Sequence, residues 1–167
     1  GRPEYASSGP TSYRGMRVVG TPTFDSRSFG TASQVATSAV HILREGGYDL
    51  VHSHALAAGL VVPMLKRFGL PVVSTIHGID WQRAKWEGLG SVVLRRAERW
   101  IVHRADRMIV ISRDLARYYQ DTYGRETVLI PNATDLTVSR PCDEGFLAQL
   151  GLRPRGYVLC VARLVPE

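Results

Sequence analysis

The feature that most constrains the fold of this chain is the regular alternation of short apolar runs with longer stretches of helical period. Apolar runs at residues 48–52, 72–76, 107–111 and 127–130 have the length of buried strands. Between them the apolar residues recur every three or four positions, as over residues 32–45. About five such alternations predict an α/β domain with a doubly wound parallel sheet and right-handed crossovers.

Start and stop signals set the predicted elements. Ser112 is placed to cap a helix over residues 113–123, and Gly124 is placed to end it. The remaining predicted helices cover residues 32–45, 55–68, 81–104 (with a break near 88–90) and 144–150, and further strands cover 16–20 and 157–161. Pro131, Pro141 and Pro154, together with little apolar pattern, predict a domain boundary between residues 132 and 155.

Histidines follow two successive predicted strands. His52 and His54 lie at the end of the strand at 48–52, and His77 follows the strand at 72–76, beside Gly78 and Asp80. In an open parallel sheet, ligands bind beyond the carboxyl ends of the strands, so these side chains are expected to share one crevice. His52 is interpreted as mainly structural. Asp80 is more simply explained as a cap for the helix that follows it.

A basic region lies between residues 81 and 117, where nine basic and four acidic residues give +5 of the chain's net +6. An apolar helical stripe is predicted there. A second row carries positive charges four residues apart, which destabilise a helix unless an anion lies opposite them. An anionic membrane surface is one candidate partner, and a solvated helix packed by its stripe is the simpler alternative. The predicted stripe is Leu89, Val93, Ala97, Trp100 and Ile101, and the membrane-facing candidates are Trp81, Trp86, Arg95, Arg96 and Arg99.

Several function classes lack their motifs. The sequence has no phosphate-binding Gly-rich motif of either common type, no nucleophile elbow and no nucleic-acid-binding motif. Cys142 and Cys160 have neither zinc-site nor disulfide-framework spacing, which predicts no metal and a reducing cytoplasm. No apolar run is long enough to cross a bilayer. The chain starts without Met and stops within a pattern, so we expect a fragment.

Five segments together carry a resemblance to glycosyltransferase family 4, the retaining nucleotide-sugar transferases of GT-B fold. Their order and spacing make the resemblance specific, and the residues after Asp80 are similar to the bacterial polysaccharide branch, which includes rhamnosyltransferase-like members. The segments are residues 48–54 (YDLVHSH), 73–80 (VSTIHGID), 105–112 (ADRMIVIS), 130–135 (IPNATD) and 161–167 (VARLVPE).

The resemblance implies two Rossmann-like domains that face each other across a cleft. Residues 1–140 would be the N-terminal, acceptor-side domain, lacking its first strand and Gly-rich loop. Residues 141–167 would be a linker and the first strand of the donor-binding domain. The donor-gripping glutamates of the family would lie beyond residue 167, so the fragment itself is expected to be inactive. Ala133 departs from the family's usual Gly in that turn.

The resemblance also implies roles for single residues. His77 would lie near the transferred sugar and act by hydrogen bonding as the catalytic-site histidine, and Arg163 would contact the donor diphosphate. His54, Gly78 and Asp80 are the other cleft and acceptor candidates. Neither a metal nor a cofactor is expected, because the family's proposed front-side mechanism passes the acceptor's proton to the leaving phosphate.

The sequence therefore predicts a glycosyltransferase that uses a nucleotide-sugar donor and a polysaccharide or lipid-linked acceptor, with retention. Its expected location is the cytoplasm, at the inner face of the membrane, with no nucleic-acid partner. Two alternatives stay open: a GT-B sugar-nucleotide 2-epimerase, and a non-catalytic basic module that binds anionic polymer or lipid. The donor base, the sugar and the linkage are not fixed by the sequence.

Overall fold

Helices and strands alternate along the chain in a computed structural model that describes residues 12–24, 30–82, 88–134 and 144–161. Two 3₁₀ helices, Leu56–Val61 and Asp80–Gln82, accompany the longer elements. The strands are β1 (Ser12–Tyr13), β2 (Met16–Arg17), β3 (Val51–His54), β4 (Val72–Ile76), β5 (Arg107–Val110) and β6 (Val128–Leu129). The α-helices are α1 (Gly30–Glu45), α2 (Val62–Arg67), α3 (Leu89–Arg104), α4 (Arg113–Tyr123) and α5 (Glu144–Gln149).

The four strands β3 to β6 form one parallel sheet, which confirms the predicted α/β class. They lie side by side in chain order, so β4 and β5 are central and β3 is at one edge of the described sheet. The predicted strand at 16–20 is shorter than expected, and its first two residues pair with β1 in an antiparallel ribbon. Each later strand of the described parallel sheet therefore lies one place farther from β3.

The sheet is covered by helices that follow its strands, and their shared core is mainly aliphatic. Burial of these side chains is the main favourable contribution to the folding of this unit. The fully or almost fully buried members include Leu56, Val62, Leu65, Val72, Ile76, Ile101, Met108, Val110 and Tyr119.

One carboxylate joins the starts of β4 and β5. Asp106 accepts the Val72 amide N–H at 2.7 Å, and its own amide donates to the Val72 carbonyl at 2.8 Å. Lys66, at the end of α2, donates to both oxygens of the same carboxylate. The Lys66 hydrogen bond and then the Val72 amide hold the pKa of Asp106 below its ordinary value. These bonds fix where the two central strands begin, and thus where they end.

The first 3₁₀ helix packs directly on the backbone of α3. Gly59 is buried there, and a Cβ at this position would lie 2.3 Å from the Ala97 carbonyl oxygen and 2.9 Å from Ile101 Cγ1. Only glycine permits so close an approach of two backbones. This contact brings α3 against the segment that follows β3.

Helix α4 has the ends that the sequence predicts. The Ser112 hydroxyl accepts the Leu115 amide N–H at 3.2 Å, which caps the N-terminus. Gly124 follows the last turn with φ of +61°, in the left-handed conformation that glycine adopts without strain.

The buried face of α3 differs from the one that the sequence predicts. Helix α3 buries Leu94, Ala97, Glu98, Ile101 and Val102, whereas the predicted stripe members Leu89 and Val93 are 85% and 44% exposed. The buried face is therefore rotated relative to the predicted stripe.

The predicted strand at 157–161 is not formed among the described residues, where Val158 is 98% exposed. A strand needs a neighbour with which to pair. Neither described sheet includes these residues.

The backbone divides into two compact units, Gly1–Pro131 and Asn132–Glu167. The first contains the sheet, and the second contains α5. The boundary predicted at 140/141 lies outside the described residues. Within the described chain, no helix has both the length and the apolarity that a bilayer span requires.

Candidate active site

The carboxyl ends of β3 and β4 bring polar side chains to one edge of the sheet. The register pairs His54 with Thr75, so His77 lies just beyond the end of β4, close to His54. Side chains two residues apart on a strand share a face, and His52 and His54 are therefore neighbours. The convergence expected from the sequence is present.

His52, His54 and His77 form a row of three rings, which we call the histidine ladder. The ring centres of His52 and His54 are 4.4 Å apart, and those of His54 and His77 are 5.4 Å apart. The His54 and His77 rings are stacked, with an interplanar angle of 21°. All three residues are exposed, so their ring edges are accessible to a ligand.

Hydrogen bonds involve all three members of the ladder. His54 Nδ1 lies 3.1 Å from His77 Nε2, and His52 Nε2 lies 2.8 Å from the hydroxyl of the buried Thr75. Since one ring of the His54–His77 pair must accept from the other, at least one of them is neutral. Neutral imidazoles can both donate to and accept from sugar hydroxyls.

Partial burial lowers the pKa of His54 below its ordinary value, and the nearby imidazoles of His52 and His77 lower it further. A positive charge on either of these two rings disfavours a positive charge on His54. The ladder is thus arranged to hold neutral imidazole at its centre near neutral pH.

The backbone between the ladder and the first 3₁₀ helix is strained. Ala55 has φ of +67° and ψ of +162°, a region that residues with a Cβ rarely adopt. Its amide N–H nevertheless donates to the Thr75 carbonyl at 3.0 Å. This bond extends the backbone pairing of β3 with β4 by one residue. The turn that directs the chain away from His54 is therefore held by the sheet.

The other predicted cleft residues lie on the loop after β4. Gly78 and Asp80 are half-buried, and Asp80 is the first residue of the second 3₁₀ helix. Its role as a cap for a helix over residues 81–104 stays a prediction. The structure brings His54 and His77 into contact, and it places Gly78 and Asp80 one and three residues farther along the same loop.

Sequence reasoning misassigned one histidine. His52 was interpreted as mainly a packing residue, but it is exposed, since β3 lies at the edge of the described sheet and its ring stands beside His54. It belongs to the candidate site.

Sequence reasoning missed Glu98 as well. This carboxylate on α3 is completely buried and accepts hydrogen bonds from the Trp81 indole N–H and from the Tyr123 hydroxyl. The available signal was the spacing of Glu98 from Leu94, Ile101 and Val102, which lie three or four positions away on the same helix face.

Trp81 does not have the exposed setting expected of a membrane anchor, because its indole N–H is bonded to Glu98 and its ring packs against the core. Arg95 lies over the Trp81 ring at 4.2 Å, and Arg96 lies over Trp100 at 5.3 Å. Both arginines and Arg99 are exposed, as expected.

Two predicted site residues, Trp86 and Arg163, lie outside the described residues. Within the described ranges, no group of three or more histidine, cysteine, aspartate or glutamate residues has an arrangement that could hold a metal ion. The absence of a metal from the reaction stays a prediction.

Comparison with known proteins identifies relatives of the chain. The family model for glycosyltransferase family 4 matches residues 2–138. A D-inositol 3-phosphate glycosyltransferase of Nocardia farcinica is 34% identical over 131 residues, which cover 72% of this chain and 29% of that protein. One from Geodermatophilus obscurus is 30% identical over 150 residues, covering 80% of this chain and 33% of that protein.

Among solved structures, a sucrose-phosphate synthase from Thermosynechococcus elongatus superposes with a TM-score of 0.45 at 21% identity, covering 73% of this chain and 59% of that one. The chain spans about a third of the length of the curated relatives it matches.

Proposed function

Because this chain belongs to glycosyltransferase family 4, we propose that the complete protein transfers a sugar from a nucleotide-sugar donor to a polysaccharide or lipid-linked acceptor. The single observation that supports a sugar site in this chain is the His54–His77 contact at the carboxyl edge of the sheet. Ligands of open parallel sheets bind at this edge.

In the proposed reaction the bond between the anomeric carbon and the diphosphate oxygen breaks, and a bond to the acceptor oxygen forms on the same face. The acceptor's proton passes to the departing phosphate oxygen. Because the new bond forms on the face from which the phosphate leaves, the anomeric configuration is retained. His77 donates a hydrogen bond to a donor hydroxyl or to the leaving phosphate, and His54 holds its ring. Hydrogen-bond donors of this kind stabilise the negative charge that develops on the phosphate in the transition state.

The remaining proposed contacts are divided between the loop after β4 and the C-terminal segment. Gly78 lets the backbone approach the sugar, and Asp80 is an acceptor for sugar hydroxyls. Arg163 contacts the donor diphosphate through its two-pronged guanidinium. The inositol phosphate named for the curated relatives belongs in any acceptor panel tested with this protein.

The test is product analysis with the complete protein. A panel of nucleotide-sugars is incubated with lipid-linked, oligosaccharide and inositol phosphate acceptors, and products are followed by mass spectrometry and proton NMR. We expect a glycoside whose anomeric configuration matches that of the donor. An inverted product would contradict retention, and an epimerised nucleotide-sugar without acceptor would support the 2-epimerase instead. Tight binding of anionic polymer without any turnover would support the non-catalytic module.

We further propose that the N-terminal half of α3 contacts an anionic membrane surface at the inner face of the cytoplasmic membrane. Leu89, Val92 and Val93 are exposed there, and Arg96 and Arg99 are exposed farther along the same helix. Apolar side chains beside positive charge are typical of helices that lie on anionic lipid. Trp81 takes no part in this contact, because Glu98 and Arg95 occupy its indole.

A further inference from the structure

A buried carboxylate on α3 is hydrogen-bonded to Trp81, the residue that follows the loop carrying His77. Glu98 is 0% exposed on the face of α3 whose other members are Leu94, Ala97, Ile101 and Val102. A carboxylate in such a place is unfavourable unless hydrogen bonds compensate for its lost hydration. The bonds that Glu98 makes therefore indicate why an acid occupies this position.

The two hydrogen bonds that Glu98 accepts from described residues both end on one oxygen. Glu98 Oε2 accepts the Trp81 indole N–H at 2.8 Å and the Tyr123 hydroxyl at 3.1 Å. Oε1 is also buried and accepts no hydrogen bond from the described residues. Burial, and then the negative charge of Glu98, raise the pKa of Tyr123, so its hydroxyl stays protonated as a donor.

Trp81 is held on two sides by α3. Its N–H edge meets Glu98, and the Arg95 guanidinium lies 4.2 Å from the centre of its ring. The indole also packs against the hydrophobic core. Trp81 is therefore the fixed point at which the loop after β4 ends.

The loop of residues 77–80 is thus fixed at both ends. Ile76, the last residue of β4, is completely buried, and Trp81 follows the loop directly. Only four residues separate these two anchors, and His77 is the first of them. A change in the position of Trp81 must be absorbed within these four residues.

We propose that Glu98 is a positioning residue that sets the geometry of His77 through Trp81. It is completely buried and bonded to Trp81 and Tyr123, so it acts through Trp81 and touches no reacting atom. The proposal rests on the role given to His77 in the proposed function, but its structural part, the coupling of Glu98 to the His77 ring, can be measured without any substrate.

Two substitutions separate positioning from simple stabilisation. Trp81→Phe removes the donor on the loop, and Tyr123→Phe removes the donor on α4, and both bonds end on the same Glu98 oxygen. Each variant loses one hydrogen bond to a buried carboxylate, so both should lower the melting temperature. Only the first should disturb the loop.

The measurement is the NMR signal of the His77 ring in the complete protein, assigned with His77→Gln, together with steady-state kinetics on a nucleotide-sugar. We expect Trp81→Phe to shift the His77 signal and lower kcat about 10-fold, the effect of one hydrogen bond to a charged group. KM should stay within about 2-fold, because the ring acts mainly in the transition state. Tyr123→Phe should leave the His77 signal and kcat unchanged.

Two further variants complete the test. In Glu98→Gln the side-chain amide oxygen still accepts the Trp81 N–H. The new NH₂ group takes the place of Oε1, which accepts no hydrogen bond from the described residues. We therefore expect kcat within about 3-fold of wild type. Arg95 is exposed, so Arg95→Met should fold even where Trp81→Phe does not, and we expect a smaller His77 shift in the same direction as Trp81→Phe.

The proposal is wrong if Trp81→Phe and Tyr123→Phe have equal effects on the His77 signal, or if Arg95→Met and Trp81→Phe both leave that signal in place. Absence of sugar transfer by the wild-type protein with every donor would instead contradict the proposed function. In that case the comparison of His77 signals still decides whether Glu98 positions the loop.

Discussion

Ala55 carries backbone strain next to the histidine ladder. With φ of +67° and ψ of +162°, it occupies a region that costs a residue with a Cβ on the order of 1–3 kcal/mol. Ala55→Gly removes most of this strain and loses about 0.5–1 kcal/mol to chain entropy. We therefore expect Ala55→Gly to raise the free energy of unfolding by about 1 kcal/mol in denaturant titrations.

Ala57→Gly is the matched control for Ala55→Gly. It makes the same change two residues later, inside the first 3₁₀ helix, where no positive φ is relieved. It should destabilise the protein by about 0.5–1 kcal/mol. Equal destabilisation by both substitutions would show that Ala55 is not strained.

The lowered pKa of His54 predicts a stability that depends on pH. In the unfolded chain this ring titrates near its ordinary value of 6.5, whereas burial and the neighbouring rings of His52 and His77 lower its pKa in the folded state. The unfolded state therefore binds the proton more readily, and the His54 contribution is present above pH 6.5 and is lost on acidification below it.

Thermal melts at pH 7.5 and pH 5.5 measure this contribution. We expect the melting temperature to fall on acidification, and the fall to be smaller in His54→Gln. The same slope in wild type and His54→Gln would assign the pH dependence to other groups.

At the scale of elements, the contact between the first 3₁₀ helix and α3 depends on Gly59. An added Cβ would lie 2.3 Å from the Ala97 carbonyl oxygen, and backbone cannot move aside as a side-chain end can. We expect Gly59→Ala to destabilise the protein by about 2–3 kcal/mol, the upper part of the range for overpacking a core, because the atom it meets is backbone.

Gly69→Ala is the comparison variant for Gly59→Ala. Its methyl group would meet no atom within 4 Å, but its φ of +79° disfavours alanine. It should cost about 1–2 kcal/mol through conformation alone. The account of this helix contact fails if Gly59→Ala is the milder of the two in denaturant titrations.

The sequence was sufficient to predict the ends of those elements whose boundaries are set by nearby residues. Helix α4 begins at its Ser112 cap and ends before Gly124, and β4 covers the predicted residues 72–76. The meeting of His54 with His77 was also predictable, because neighbouring parallel strands end at the same edge of a sheet.

Features that depend on tertiary packing were not predictable in the same way. The rotation of α3 is set by the close approach at Gly59, so the burial of Glu98 and the exposure of Leu89 follow from a contact distant in sequence. The strand predicted at 157–161 is apolar enough, but strand formation requires a neighbour that the pattern of one segment cannot specify.

At the scale of the whole molecule, the exposed face of α3 predicts binding to anionic vesicles. Arginines near such a surface contribute roughly 1 kcal/mol each, and salt screens this attraction. We expect the complete protein to float with vesicles that contain anionic lipid, more at low salt than at high salt, and not with neutral vesicles.

The matched variants for the flotation experiment both replace an exposed valine with serine. Val92 is on the proposed face of α3, and Val40 is on α1. Val92→Ser should reduce flotation, whereas Val40→Ser should not. Equal flotation with neutral and anionic vesicles would remove the membrane proposal.

The central claim, that the histidine ladder lies in a sugar-transfer site, is tested most directly by the turnover number of His77→Ala in the complete protein. We expect kcat to fall by at least about 100-fold, the low end for a positioned hydrogen-bonding or acid–base group. The melting temperature should stay within about 2 °C of wild type, because an exposed ring leaves no cavity. His103→Ala, which removes an exposed histidine from α3, should leave kcat unchanged. Unchanged turnover in His77→Ala, or loss of its fold, would contradict the claim.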